Sequence, residues 1–317
     1  MSTRTEPGGL LGFARRPLRR LADRLYLIRL RHLYGIRRPG WWPLRRAWPL
    51  GPRGQHNGRE VVITSGSRRF AFQPAAHGRY RGHVYRGEPS PDVADLAQRL
   101  KRLDLPTTAA RPLAAVSSFE GGFDSIQTCD HTRFCWGFIQ FSVFGGLSRL
   151  LQDIKTVEPA LFERYFRAAG VDVDRGWILT HGPGGILRGT AAANQLHDEP
   201  RLWRAFVLAA QEPAIRDRQV KAAHDHYYAG ILKRALVLPF GPVVLGELFA
   251  GDEYGRAALL DRAVQRGLGS TLALLADAAR RADLRSTDPP RRLLEAASAL
   301  EPNNRRRWQA LRTAFDV

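Results

Sequence analysis

The stretch Ser117 to Phe141, SSFEGGFDSIQTCDHTRFCWGFIQF, constrains the fold of this 317-residue chain more than any other segment. Apolar positions leading to Glu120 read as the end of a helix, and Gly121 and Gly122 then free the backbone to turn sharply. The carboxylate of Glu120 is expected to face outward. From Phe123 to Trp136, bulky residues recur among polar ones (Phe123, Ile126, Phe134, Trp136), a pattern of two short strands with Thr128 to Thr132 as the turn. Gly137 to Phe141 then opens another apolar run.

Beyond Phe141 the pattern is helical nearly to the end. Leu147, Leu150, Leu151 and Ile154 form one stripe, and Leu161, Phe162, Tyr165 and Phe166 form another, closed by Gly170. Further helices are expected at 199–211, 213–235, 255–266, 270–283 and 289–315. The segment 171–190, with Trp177 and glycines 182, 184, 185 and 189, reads as a loop broad enough to help line a cleft. Ahead of the hairpin, residues 59–86 alternate as two or three strands, and Val93, Leu96, Leu100 and Leu103 mark a short helix. Pro106 and Pro112 bracket a connector taken as the domain boundary. The expected architecture is mainly α with a small β hairpin. It divides into a basic arm (1–55), a small β/α segment and linker (56–112) and a helical domain (113–317).

Charge separates the halves. Residues 1–112 hold 23 Arg or Lys against 7 acids, a net of +16, whereas the remaining 26 bases and 23 acids net only +3. The first half is therefore expected to meet something polyanionic: anionic lipid, teichoic acid, nucleic acid or an acidic protein surface. Residues 17–34 form a basic amphipathic helix, with Leu18, Leu21, Leu25 and Ile28 opposite a set of arginines. It either docks on its own protein or meets a membrane surface or acidic partner. Trp41, Trp42 and Trp48 follow, interleaved with prolines and with Arg45 and Arg46, in a composition similar to Trp- and Arg-rich antimicrobial peptides. Such indoles seat at a lipid interface while arginines find phosphates, or they plug pockets on the domain itself or an assembly partner. A nucleic-acid surface rests only on the first 112 residues, where Arg68, Arg69, Arg79, Arg81 and Arg86 accompany Phe70, Phe72, Tyr80 and Tyr85; a hairpin with one packed and one solvated face explains the same pattern.

Cys129 and Cys135 flank the hairpin turn, and the spacing allows either a cross-hairpin disulfide or two reduced thiols. Two thiols make no structural zinc site, and His224, Asp225 and His226, consecutive on a helix, splay onto different faces. No metal and no cofactor is expected. The run Gly182-Pro183-Gly184-Gly185 lacks the Lys and Ser/Thr of a phosphate loop. Arginines interrupt the apolar residues near the start, so no secretory signal or membrane span is visible, and synthesis in the cytoplasm is expected.

A helix-end carboxylate, a small polar hairpin and a Gly-x-x-Gln element behind it resemble the active-site segment of the lysozyme-like superfamily: phage endolysins, lytic transglycosylases and, more remotely, chitosanases. Two further segments carry the resemblance. One holds Gln219 followed by Tyr227 and Tyr228; the other is an Asp-x-x-Val-x-x-Gly helix end at Asp261, Val264 and Gly267. The likeness covers roughly residues 113 to 283. It implies a peptidoglycan-cleaving glycosidase acting in the cell wall, reached through lysis, a holin or an injection particle.

Cleaving a glycosidic bond needs a protonated carboxyl group and a second carboxylate or positioned water. Glu120 is the expected acid, desolvated beside Phe119 and Phe123. Asp130 is favoured as the second carboxylate, near where the resemblance places one; Asp124 is the alternative and could instead orient the turn. Thr128 is a candidate to position water. The resemblance implies that Gln140 contacts glycan, and Trp136, Phe138, Tyr227 and Trp177 are candidate sugar platforms. The competing expectation is a non-catalytic glycan-binding or structural piece of a phage tail or injection particle, since Phe138 stands where chitosanases carry an acid.

Overall fold

The computed structural model describes residues 59–182, 184–285 and 288–317. The helix expected at 17–34 and residues Trp41, Trp42, Arg45, Arg46 and Trp48 lie outside them. Strands β1 (Val61–Ser65), β2 (Arg68–His77) and β3 (Tyr80–Tyr85) come first, then helices α1 (Val93–Arg102) and α2 (Ala110–Glu120). The hairpin segment supplies β4 (Ile126–Gln127), β5 (Cys135–Trp136) and β6 (Phe141–Ser142). All six strands form one antiparallel sheet in chain order. β3 joins β4 through the pairs Val84↔Gln127 and Tyr85↔Ile126, so the sheet crosses the boundary expected at the connector. Strands of two residues cannot stand alone; the hairpin extends a sheet already built.

The remaining elements are α3 (Leu147–Val157), α4 (Pro159–Phe162, running into a π-helical turn Glu163–Arg167), β7 (Val171–Asp174), β8 (Trp177–Gly182), β9 (Gly185–Arg188), α5 (Thr190–Asp198) and α6 (Pro200–Ala209). There follow α7 (Pro213–Ala222), which continues through a π-helical stretch Ala223–Tyr228 into α8 (Ala229–Leu232), then β10 (Ala235–Leu238), β11 (Gly241–Val244) and α9 (Leu245–Leu248). The chain closes with α10 (Glu253–Arg266), α11 (Leu268–Arg281), α12 (Pro289–Ala299) and α13 (Arg305–Ala314).

A mainly α protein with one small hairpin is therefore the wrong class: the fold is mixed α+β, with a six-stranded, a three-stranded and a two-stranded sheet. The expected loop at 171–190 is the three-stranded sheet β7–β9, because Val171 and Val173 alternate inward and Gly176 takes the positive φ of a turn. Gly176, Gly184 and Gly185 mark its hairpin corners, and Gly189 caps the start of α5. The helix expected over 289–315 is two, interrupted after Leu300 by Glu301 and a short 3₁₀ turn, Pro302–Asn304.

Two hydrophobic cores result. The first packs the six-stranded sheet against α1 to α7 around Phe72, Trp136, Trp203 and Phe206, all fully buried. The second gathers β10, α9 and α10 to α13 around Phe249, Leu275 and Trp308. Helix α2 is the partition: Leu113 and Val116 belong to the first core, while Ala115 and Phe119 pack against the second. Its last residue, Glu120, lies at the seam.

Candidate functional site

Helix α2 ends because Gly121 takes φ 124°, donating its N–H to Ser117 O at 2.9 Å. A Cβ on Gly121 would stand 2.7 Å from the Arg86 carbonyl and one on Gly122 2.2 Å from that of Glu88, so only glycines let the helix end pass beneath residues 86–88. That fixes the direction of Glu120. Its side chain is 9% exposed, folded against α10 and α13 rather than facing outward as expected. The Gln265 amide donates to Oε1 at 2.9 Å, and the Arg307 guanidinium ion-pairs with the same oxygen. No described residue bonds Oε2.

Behind Arg307 lies a chain of alternating charge. Arg307 Nε donates to Asp261 Oδ1 at 2.6 Å, Arg262 pairs with Asp261 Oδ2, and Arg262 Nη1 reaches Glu301 Oε2 at 2.8 Å, with Arg266 on the other oxygen at 2.5 Å. Three acids face three arginines, and Asp261 and Arg262 are essentially buried. Burial pushes the Glu120 carboxyl up; Arg307 pulls it down and Asp261 pushes with burial, and the outcome is a raised pKa. Burial likewise acts to raise Glu301, but Arg262 and Arg266 prevail and hold it below the ordinary value.

Asp130 occupies the hairpin turn, its Oδ1 accepting from Thr132 N at 2.8 Å and Thr132 Oγ1 at 2.5 Å. Its Oδ2 lies 3.8 Å from Cys135 Sγ. Burial drives the Cys135 thiol well above its ordinary pKa, and the charges of Asp130 and Glu120 both add to that rise. One thiol thus feels both carboxylates. Both cysteines are buried and free.

The other candidates are engaged elsewhere. Asp124 is buried, accepting from Glu88 N at 2.8 Å and Tyr85 Oη at 3.1 Å, and burial raises its carboxyl; it fastens the turn, the alternative role. Thr128 is fully buried, with Oγ1 accepting from His83 N at 2.8 Å, which leaves no place for a water at a sugar. Trp136 and Phe138 are fully buried and present no face to a sugar. Gln140 donates to Ser125 Oγ at 2.6 Å and Gly137 O at 3.0 Å, and its Oε1 is enclosed, so it braces the loop rather than reaching glycan. Gln219 does the same from α7, taking Phe138 N and donating to Phe123 O. Tyr227 is half-buried, its pKa pushed by burial to about 12. Trp177 alone is open, at 44% exposure.

Arg307, Gln265 and Arg262 had no local signal in the sequence, since Arg307 lies 187 residues from the acid it holds. Asp261 had one: an acid directly after Leu259 and Leu260 in a helical stretch buried on several sides. No group of three or more His, Cys, Asp or Glu able to hold a metal occurs among the described residues, and none of their helices is long and apolar enough to cross a membrane. Set against protein-family models, curated proteins and solved structures, the chain matches none.

Proposed function

We propose that the chain cleaves the glycan strands of peptidoglycan by general acid catalysis from Glu120. The observation that carries this reading is the division of labour within one carboxyl group: Oε1 is fastened by Arg307 and Gln265, no described residue bonds Oε2, and burial raises the group's pKa. A carboxyl group whose pKa burial raises, and which is held by one oxygen, suits protonation of a leaving glycosidic oxygen. As the bond from the anomeric carbon breaks, the Oε2 proton passes to the departing oxygen. Asp130 is then the carboxylate that faces the oxocarbenium-like charge or deprotonates the incoming water. Without a productive Asp130, the outcome is transglycosylation with an anhydro-sugar product. Net cationic charge argues against chitosan, itself a polycation. The arm of residues 15–55 supplies attraction to an anionic membrane or acidic surface, and delivery through lysis, a holin or an injection particle brings the protein to the wall.

The test is Glu120→Gln against purified sacculi. Release of reducing ends and anhydro-sugars is expected to fall by about 10²–10⁴-fold with an unchanged circular dichroism spectrum, whereas full activity in the variant removes the mechanism. The ion pair with Arg307 favours a second, non-catalytic reading, in which Glu120 joins the two cores and the protein binds glycan within a phage tail or injection particle. Wild-type protein that binds sacculi and releases no products selects that reading.

A further inference from the structure

A trough of about 370 Å³ opens between the β6–α3 connection and the β7–β9 sheet, toward the small end of the range of about 300–1,000 Å³ usual for small-molecule sites. Neither Glu120 nor Asp130 lines it, so it stands apart from the proposed hydrolysis. Two aromatic rings do line it: Phe144 and Trp177, 54% and 44% exposed, in a protein whose other large aromatic side chains are mostly core. The Arg188 guanidinium sits 4.4 Å over the indole of Trp177 and braces it. Gly145, Gly176 and Gly189 share the lining and add no side chain to fill it, which leaves apolar surface open to a flat ring.

Another wall is the start of α3. No side chain caps this helix at Gly146, so the N–H groups of its first turn keep the partial positive charge that favours anions. A helix start alone would select nothing; Ser148 adds an unmet donor. It lines the trough and is only 7% exposed, yet its hydroxyl bonds no described residue. A polar group so enclosed normally has a partner, and a ligand oxygen in the trough would supply one. Arg149, the next residue, lines the same trough, is exposed and makes no ion pair with any described residue. No carboxylate lines the trough to oppose an anion. A hydroxyl, a guanidinium and helix N–H groups on one wall make the donor set of a phosphate site. From this juxtaposition we propose that the trough binds a mononucleotide, with the base against Trp177 and Phe144 and the phosphate held by Ser148, Arg149 and the first turn of α3. Its volume suits one nucleotide rather than a nucleic-acid chain. The assignment is independent of the glycosidase reading and names a ligand that glycan cleavage does not call for.

Titration calorimetry on the full-length chain at physiological salt tests it, with adenosine and uridine monophosphates set against the matching nucleosides and against ribose phosphate. The monophosphates are expected to bind tighter than the nucleosides, which lack the anion, and tighter than ribose phosphate, which lacks the ring. Trp177→Ala should weaken the monophosphates by about tenfold, and Trp177→Phe should largely restore them. Arg149→Ala and Ser148→Ala should each bring the monophosphates down toward nucleoside affinity while leaving the nucleosides unchanged. Thermal melts confirm that each variant stays folded. Monophosphate binding that ignores the Trp177 and Arg149 substitutions belongs to basic residues elsewhere in the chain and overturns the site, as does equal affinity for ribose phosphate or no binding at all. A phosphorylated oligonucleotide that binds tighter than either mononucleotide, and is weakened by the same substitutions, overturns the mononucleotide in favour of a nucleic-acid end.

Discussion

Glu120 is held through one oxygen by Arg307 and Gln265, and on the proposed mechanism this has a pH signature. A general acid works only while protonated, so activity is expected to be highest on the acid side and to fall as pH rises through the elevated pKa of Glu120. Arg307 opposes that elevation. Arg307→Met therefore moves the alkaline limb of the pH–rate profile to higher pH, and a limb that stays put or moves down refutes the assignment. The same substitution also leaves Asp261 with Arg262 alone. Removing one member of such a buried pair costs about 3 kcal/mol, measurable as a lower midpoint in denaturant. At the level of single residues the sequence was legible where structure is local: the helix end at Glu120 and the glycines behind it could be read, but not the inward direction of the carboxyl group. It was silent on Arg307, because an ion pair spanning 187 residues leaves no periodicity or spacing in the chain. It misassigned Trp136, Phe138, Thr128 and Gln140 because a motif's bulky and polar residues look alike whether they face a ligand or hold the loop that faces it.

The elements around the hairpin depend on two side-chain clasps, Gln140 and Gln219, more than on strand pairing. Gln219 reaches from α7 into the loop, and Gly137, at φ 89°, leaves it room: a Cβ there would stand 2.2 Å from Gln219 Oε1. Gly137→Ala combines an unfavourable backbone conformation with a broken buried hydrogen bond. It should cost about 3 kcal/mol, seen as a drop in the thermal midpoint; a neutral substitution would show that the clasp is dispensable. The stretch 171–190 was misread for a related reason. Its glycines are frequent enough to suggest a loop, yet they sit at hairpin corners and a helix start while Val171, Val173 and Ile178 alternate inward between them. Long amphipathic helices such as α3 and α10 were plain from their apolar spacing. Strands of two to four residues carry too few positions for alternation to declare itself, so β4, β5, β6, β10 and β11 are set by the tertiary neighbours they pair with.

Across the whole molecule the two cores are joined by charge. Glu301, on the second core, has a folded pKa below its ordinary value. Its contribution to stability is complete above the unfolded carboxyl pKa of about 4.3 and is lost as pH falls through the lower folded value. Glu120 has the opposite sign: its raised pKa favours the folded state below that unfolded value and the benefit is lost as pH rises. Glu301→Gln should therefore flatten the acid limb of the stability profile and destabilise neutral protein by about 3 kcal/mol, as followed by calorimetry from pH 3 to 7. An acid limb unchanged in the variant would assign the effect to other carboxylates.

The guanidinium that fixes Glu120 belongs to α13, far downstream in synthesis. A ribosome-bound or prematurely terminated copy ending before residue 305 lacks the guanidinium that seats Glu120, so the carboxyl group takes its place only once the last helix has been made.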